Sequence, residues 1–421
     1  MRARCPVSRN LMKICILTTS TTVHQMGGTE VHAETLAKTA AAKGHAVTLV
    51  TSAHPQGLEF EKKDGYDTFY LPGTHFSMSR KWLEDWWTRS AEKLSELSAL
   101  GRLDIIWSEN LIGQYYAGLP ATALKKPVLS IINGPGVRGE ILNRWAQVSS
   151  PAGFLNLLTR ELAQVLFHML PWFRNVANHS DYIICVSDYC EREMRREFSG
   201  CRGKIKTIYN PVNASDFRPA ETVRSAARKS YGLGGDEPVL AMSGVLTRQK
   251  GMHLGIRAFG LIKASVPAAK LLVAGGGPEL ENLRELAADL GLGESVIFRG
   301  KIGNEGMNTF YNAADIYINP TLRHEGLPLA LLEAISCGLP CVTTRVGGTE
   351  SAIEEGKSGF FTKPGDPAGM AEKAVLLLKD RDLREAMGKS ARRRAIEVFS
   401  PDKIIGQYLD ISEQVIRGGK S

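Results

Sequence analysis

The sequence predicts an α/β protein of two parallel-sheet domains. Three observations lead there. Short apolar runs alternate with helical stretches through the first half, the pattern that places helices on both faces of a parallel sheet. The second half repeats that scheme, and a polar, turn-rich stretch from Asn210 to Glu237 divides the two as a linker. At 421 residues, 43% of them apolar, the chain has material for two domains of roughly 200 residues each.

Taken in order, strands are expected at Lys13–Thr18, Ala46–Thr51, Asp104–Trp107, Pro127–Ile132, Tyr182–Val186 and Ile205–Ile208. A second set follows at Val239–Ser243, Lys270–Ala274, Val296–Arg299, Ile316–Ile318 and Cys341–Thr343, and a last helical pattern runs from Pro401 to Ile416. The expected division is residues 12–212, residues 213–396, and a terminal segment, 397–421, that packs back on the first domain. Met1 to Leu11 is polar and basic without the apolar segment of a signal peptide, so it reads as a loose extension or a mis-called start. No stretch reaches the roughly 18 consecutive apolar residues that span a bilayer.

Fifty-two Lys and Arg against 44 Asp and Glu leave a net charge of +8, which favours anionic partners such as phosphates or an acidic membrane face. No basic arm or tail points to nucleic acid. The seven cysteines are scattered without a C-x-x-C pair, and Cys185, Cys337 and Cys341 sit in apolar patterns; they read as buried, reduced thiols of a cytoplasmic protein.

The densest chemical signal runs from Asn319 to Pro340: a strand end, a short loop, and a helix that starts near Pro328 and stops at Gly338 and Pro340. Pro328 is expected at the first helical position, where its missing N–H costs nothing. Free amides around Gly326, Leu327 and Leu329 would then face whatever lies above the carboxyl end of the sheet, and a diphosphate suits them. Glu325 precedes this helix and Glu333 lies within it, so each is placed for sugar hydroxyls on one side of that diphosphate. A helix-dipole Glu and a surface Glu would need no ligand. Yet Glu333 stands inside the apolar run Leu329–Ile335, where an unpaired carboxylate is costly.

The spacing from Glu325 to Glu333 resembles the E-x7-E motif of the retaining nucleotide-sugar glycosyltransferases of family 4, and the likeness extends over nearly the whole chain. Gly27-Gly28-Thr29-Glu30 and Lys43-Gly44-His45-Ala46-Val47 are similar to that family's glycine loop and the start of its second strand. Asp181–Ser187 and Tyr209–Asn213 resemble its inter-domain segments, while Lys250-Gly251, Gly275-Gly276-Gly277-Pro278 and Arg345–Glu350 resemble its second domain. The resemblance implies a GT-B fold of two facing Rossmann-like domains, the donor held mainly by the second and the acceptor by the first. It gives donor sugar hydroxyls to Glu325, the nucleotide ribose to Glu333, and the diphosphate to Lys250, whose ammonium would stabilise leaving-group charge. Gly244, Gly276, Gly277 and Pro278 join Gly326, Leu327, Pro328 and Leu329 at the donor, Gly28 lets the first domain close over the phosphates, and Gly27 and Asn133 fall on the acceptor side.

The activity so implied is retaining, metal-independent transfer of a hexosyl unit from a UDP- or GDP-sugar to a glycan or lipid-linked acceptor. It would serve cell-surface polysaccharide or glycolipid synthesis, with no cofactor. Two positions depart from the family's pattern. Val245 stands where Arg is frequent, so one phosphate-neutralising charge is missing unless Arg248 supplies it. Asn133 stands where His is common, and an amide exchanges no proton at neutral pH. Both keep open a non-catalytic subunit that binds sugar nucleotides; Lys250, Glu325 and Glu333 stand against it.

A dinucleotide-dependent oxidoreductase fits poorly. Thr18–Gly28 holds one Gly-Gly pair and no G-x-G-x-x-G, and the second strand ends Val50-Thr51-Ser52, without the acidic residue that holds an adenosine ribose. Asp380-Arg381-Asp382 is a literal D-x-D in a charged, surface-like segment, and the histidines lack paired ligand spacing, so no metal is expected. His45 reads as structural, while His24 and His324 fall near the cleft. Trp82, Trp86 and Trp87 share one helical stretch, and within Ala152–Trp172 the polar Asn156, Arg160, Gln164 and His168 recur every fourth residue. These are either core helices or a surface for peripheral contact with the inner face of the membrane, near a lipid-linked acceptor.

Overall fold

A computed structural model describes residues 11–25, 27–76, 80–110, 124, 126–146, 151–201 and 203–418. Its first sheet holds β1 (Lys13–Leu17), β2 (Ala46–Ser52), β3 (Phe60–Lys63), β4 (Tyr66–Leu71), β5 (Ile105–Glu109), β6 (Val128–Ile132), β7 (Tyr182–Cys185) and β8 (Ile205–Thr207). They lie in the order β3-β4-β2-β1-β5-β6-β7-β8, parallel throughout except for the β3–β4 hairpin. The second sheet holds β9 (Val239–Ser243), β10 (Lys270–Ala274), β11 (Val296–Gly300), β12 (Ile316–Asn319), β13 (Cys341–Thr344) and β14 (Gly359–Thr362). All are parallel, in the order β11-β10-β9-β12-β13-β14. Each order reverses beside the first strand of its half, between β1 and β5 and between β9 and β12, and such a reversal opens a crevice beyond the carboxyl ends of the strands.

The strands read as unbroken apolar runs because helices cover both faces of each sheet; β5 and β9 are buried at every residue. Helix Gly28–Ala42 follows β1 and turns Ala33, Leu36, Ala37 and Ala40 into the core, a spacing of three and four residues that keeps one face apolar.

The structure adds three strands to those expected. β3 is Phe-Glu-Lys-Lys, an edge strand whose charges hide it from an apolar pattern. Its signal is the two-residue turn Asp64-Gly65, both residues at positive φ (49° and 85°), which is the turn geometry that suits the twist of a hairpin. The stretch Asn210–Glu237, expected as a linker, is corrected: it contains helix Glu221–Ser230, packed against helix Asn304–Asn312 of the second domain. Arg224 reaches Asp315 at 2.7 Å and the Ala314 carbonyl at 2.7 Å, and Arg228 donates to the Ala313 carbonyl at 3.1 Å. Basic residues that look solvated in sequence here serve as carbonyl caps.

Helix Arg381–Phe399 is followed by helix Pro401–Gly418, which lies on the first domain. Trp107 Nε1 donates to Ser412 Oγ at 3.0 Å, the Trp107 and Tyr408 rings are 5.2 Å apart, and Lys43 pairs with Asp402 at 2.6 Å. Among the described residues no helix is long and apolar enough to cross a membrane. Residues 151–179 are helical throughout, with π-helical turns at Leu157–Glu161 and Val165–Met169. Asn156, Arg160 and Gln164 are exposed, but so are Phe154, Leu155, Leu158, Leu166 and Phe167, while Leu157 and Val165 point inward. Trp86 is buried; the side chains of Trp82, Ala152 and His168 lie outside the described residues.

Candidate functional site

The second sheet's crevice collects Lys250, Glu325 and Glu333. Lys250 ends a single 3-10 turn, Arg248–Lys250, after β9. Gly251 then takes φ +68° with its Cα pressed on the Pro320 carbonyl, where no side chain fits, and this draws the turn onto the loop that carries Glu325. Lys250 Nζ lies 2.5 Å from Glu325 Oε1, and Thr321 Oγ1 lies 3.4 Å from the same oxygen. Both charged side chains are largely withdrawn from water, which strengthens their attraction relative to a surface pair.

Glu333 stands on helix Leu329–Ser336. Burial pushes its carboxyl up to about 7, and the hydrogen bond it accepts from the Tyr311 hydroxyl, at 2.8 Å, pulls the other way. Tyr311 and Tyr317, both fully buried, each lie within hydrogen-bond distance of Ser243 Oγ, at 3.2 and 3.0 Å. Glu333 is thus tied to the end of β9, where Gly244 begins the next turn.

The helix start differs from expectation in one respect. Pro328 is the N-cap, with ψ 116°, and its carbonyl accepts from Leu331 and Leu332; Leu329 is the first helical residue. The extended conformation lets Leu327 turn inward, where Asn210 Nδ2 donates to its carbonyl at 2.9 Å. Among the described residues the amides of Gly326, Leu327 and Leu329 donate to no protein acceptor. They form an anion site beside Lys250.

The other expected donor glycines gather at the neighbouring strand ends. Gly244 N donates to the Ala274 carbonyl and Leu246 N to that of Gly276, both at 3.0 Å, so the turn after β9 is bonded to the Gly276-Gly277-Pro278 turn after β10. Arg248 is not brought to the pair: it is exposed, in no ion pair among the described residues, and near His253. Val245 is 54% exposed.

From the first domain, Gly27 caps helix Gly28–Ala42, and Gly28 packs against the Leu329 side chain. Gly326 faces Asn133 so closely that any side chain there would overlap the Asn133 carbonyl. Residues that the sequence reading missed hold the domains together. Asn143 Nδ2 donates to the His324 carbonyl (2.9 Å) and its Oδ1 accepts from His324 N (2.7 Å); Gln249 Nε2 donates to the Asn143 carbonyl (2.8 Å). The Tyr189 hydroxyl lies 2.9 Å from His324 Nδ1, and burial holds the His324 imidazole below its usual range. Also missed were Glu109 and His32, which are buried beneath Asn133. Glu109 carries a related signal to Glu333: it closes an apolar strand, where Glu333 stands inside an apolar helix.

Elsewhere, Asp380 caps helix Arg381–Phe399 by accepting from Leu383 N, and His45 Nδ1 accepts from Met12 N at 3.1 Å. Cys185, Cys337 and Cys341 are buried, which pushes their thiols up and leaves them inert.

Residues 26–216 match the family described as Glycosyltransferase Family 4, and residues 223–394 match that described as Glycosyl transferases group 1. The chain is 27% identical to the N-acetyl-alpha-D-glucosaminyl L-malate synthase of Bacillus anthracis over 402 residues, 94% of this chain and 96% of that one. It is 30% identical, over 274 residues, to the GDP-mannose-dependent alpha-(1-6)-phosphatidylinositol monomannoside mannosyltransferase of Mycolicibacterium smegmatis, covering 60% of this chain and 71% of the relative. Its fold is similar to that of sucrose-phosphate synthase from Thermosynechococcus elongatus, with a TM-score of 0.80 at 21% identity over 97% of this chain and 100% of the other.

Proposed function

We propose, for a chain that belongs to glycosyltransferase family 4 and has the GT-B fold, that it moves a hexosyl unit from a UDP- or GDP-sugar to a hydroxyl of a glycan or lipid-linked acceptor, with retention of configuration. The observation that carries this reading is the gathering of Lys250, Glu325 and Glu333 around one helix start, with Gly28 of the first domain opposite. The diphosphate takes the free amides and Lys250, which exchanges Glu325 for phosphate oxygen. Glu325, released, accepts from the sugar's hydroxyls, and Glu333 from the ribose. As the anomeric C–O bond breaks, charge builds on the diphosphate, where Lys250 and the amides stabilise it. The acceptor hydroxyl enters from the Asn133 side on the face of the leaving group. Asn133 holds no proton in exchange, so the departing phosphate oxygen takes the hydroxyl's hydrogen.

With Lys250 and the amides supplying positive charge, the transfer is read as independent of metal and cofactor. The lipid-linked acceptor has its support in helix 151–179, where Phe154, Leu155, Leu158, Leu166 and Phe167 are exposed and Phe154 stacks edge-on against exposed Trp145. Arg160 and Arg174 lie exposed on the same helix. Apolar residues with nearby cations suit an anionic leaflet, so peripheral contact with the inner membrane face belongs to the proposal, as does a role in cell-surface polysaccharide or glycolipid synthesis. A second reading, a sugar-nucleotide-binding subunit without turnover, rests on Val245 and Asn133.

Thermal protection by UDP, GDP, UDP-glucose, UDP-N-acetylglucosamine and GDP-mannose tests the site, and release of nucleoside diphosphate from the protecting sugar tests turnover. Proton NMR of the product reads its anomeric configuration. Protection with turnover and retention is expected. Protection without turnover favours the second reading, and no protection overturns both.

A further inference from the structure

Three polar side chains under the acceptor half of the cleft have been given no shared role. Glu109 ends β5 at the crevice of the first sheet, and it and His32 of helix Gly28–Ala42 are completely buried. His32 Nδ1 lies 2.8 Å from Glu109 Oε1, and Asn133 Nδ2 donates to Glu109 Oε2. The other ring nitrogen, His32 Nε2, is buried with no partner among the described residues.

A carboxylate only accepts, so each bond settles the orientation of its donor. The imidazole carries its hydrogen on Nδ1, the tautomer that leaves the unpartnered Nε2 without one to satisfy. Asn133 turns its NH2 group toward Glu109. Its Oδ1 is then left with no donor among the described residues, on a side chain only partly withdrawn from the cleft.

We propose that Glu109, oriented by His32, is a positioning residue: it holds the Asn133 amide with its oxygen toward the cleft, so that this subsite takes the acceptor by the hydrogen of a hydroxyl other than the attacking one. This deepens the reading of the acceptor side given above and rests on it. An ether or carbonyl oxygen of a ligand meets an oxygen there and is turned away, whereas an amide free to rotate would accept either.

The logic is tested by reversing polarity. In Glu109→Gln, His32 still donates to the side-chain oxygen, so the new NH2 faces Asn133 and turns its NH2 to the cleft. Asn133→Asp alone sets two carboxylates together. Combined, the two substitutions let the new amide donate to one aspartate oxygen while the other faces the cleft, and the original polarity returns. With n-octyl β-D-glucopyranoside as probe acceptor and the nucleotide sugar that protects best, each single variant should raise acceptor KM roughly tenfold or more, with donor KM unchanged in Glu109→Gln. The double variant should return to within about threefold of wild type. A double variant no better than the singles overturns the proposal.

A second arm needs no substrate. In full-length protein labelled with 15N-asparagine, the Asn133 side-chain amide, assigned by its disappearance in Asn133→Asp, should exchange with solvent at least about tenfold faster in Glu109→Gln than in wild type. An amide indistinguishable in the two proteins overturns the proposal. Were wild type to turn over no nucleotide sugar, the functional reading would fall while this arm still decided the inference.

Discussion

Replacing Glu333 by Gln should change how stability depends on pH, and the structure gives the size of the change. Burial raises the Glu333 carboxyl to about 7, whereas in the unfolded chain it returns to the ordinary carboxylate range. Between those values the folded chain holds a proton that the unfolded chain has lost, so stability falls as pH rises through this window. At about 1.4 kcal/mol for each tenfold in proton affinity, the loss from pH 4.5 to above 7 comes to about 3 kcal/mol. For a domain of this size that is roughly 6–12 °C in thermal midpoint. Glutamine has no proton to lose. The difference in midpoint between variant and wild type, followed by calorimetry from pH 5 to 7.5, should therefore grow in the variant's favour. His24, His253 and His324, all lowered by burial, act in the opposite sense near their own values but are common to both proteins and cancel in the difference. Titration of UDP or GDP near pH 6.5, in buffers of different ionisation enthalpy, should release more protons from wild type than from the variant, since a ribose hydroxyl prefers the carboxylate while the terminal phosphate's own ionisation is common to both. Parallel pH curves for the two proteins would refute the reasoning.

Lys250→Ala should lower kcat about a hundredfold or more with a smaller fall in donor affinity, and Glu325→Ala should bind nucleoside diphosphate nearly normally while losing turnover; steady-state constants and calorimetric binding check both. Gly326→Ala puts a methyl into the Asn133 carbonyl and within 2.8 Å of Val186 Cγ2, so the cleft should be held open, seen as a larger radius of gyration in X-ray scattering with kcat reduced and the thermal midpoint little changed. Wild type should float with anionic liposomes at low salt, and Phe154→Ser with Leu158→Ser, both exposed positions, should weaken flotation without changing the midpoint. Complete chelation should leave turnover nearly unaltered; strict restoration by Mg²⁺ or Mn²⁺ would count against Lys250 and the helix amides as its electrostatic substitutes.

The parallel strands were readable because burial on both faces forces unbroken apolar runs, and their crevice followed from two repeated α/β halves. β3 escaped because an edge strand built from Glu61, Lys62 and Lys63 carries no apolar run, although Asp64-Gly65 marks its hairpin. Glu325 and Glu333 were visible from local chemistry, a carboxylate beside or within an apolar helix. Their partners were less so. Lys250 lies 75 residues from Glu325, and Tyr311 reaches Glu333 from another helix. Glu109 shows the limit most clearly: alone it is a strand-ending carboxylate, and only the topology brings His32, 77 residues away, and Asn133 to its two oxygens. Asn143, Asn210 and Gln249 are ordinary polar residues in sequence, and become inter-domain ties only because their amides meet backbone groups across the cleft.

The helix Pro401–Gly418 also sets a schedule for the ribosome. Trp107 is made early, yet its indole N–H waits for Ser412, 305 residues later, and for the Tyr408 ring that covers it. At about 5 to 20 residues per second, that wait is on the order of 15 to 60 s, during which the first sheet exists with helix Gly28–Ala42 bare on one side. The half that is translated first is therefore the last to be finished. A nascent chain stalled before Pro401 should expose that apolar flank to chaperones, although the last strand of the second sheet ends at Thr362.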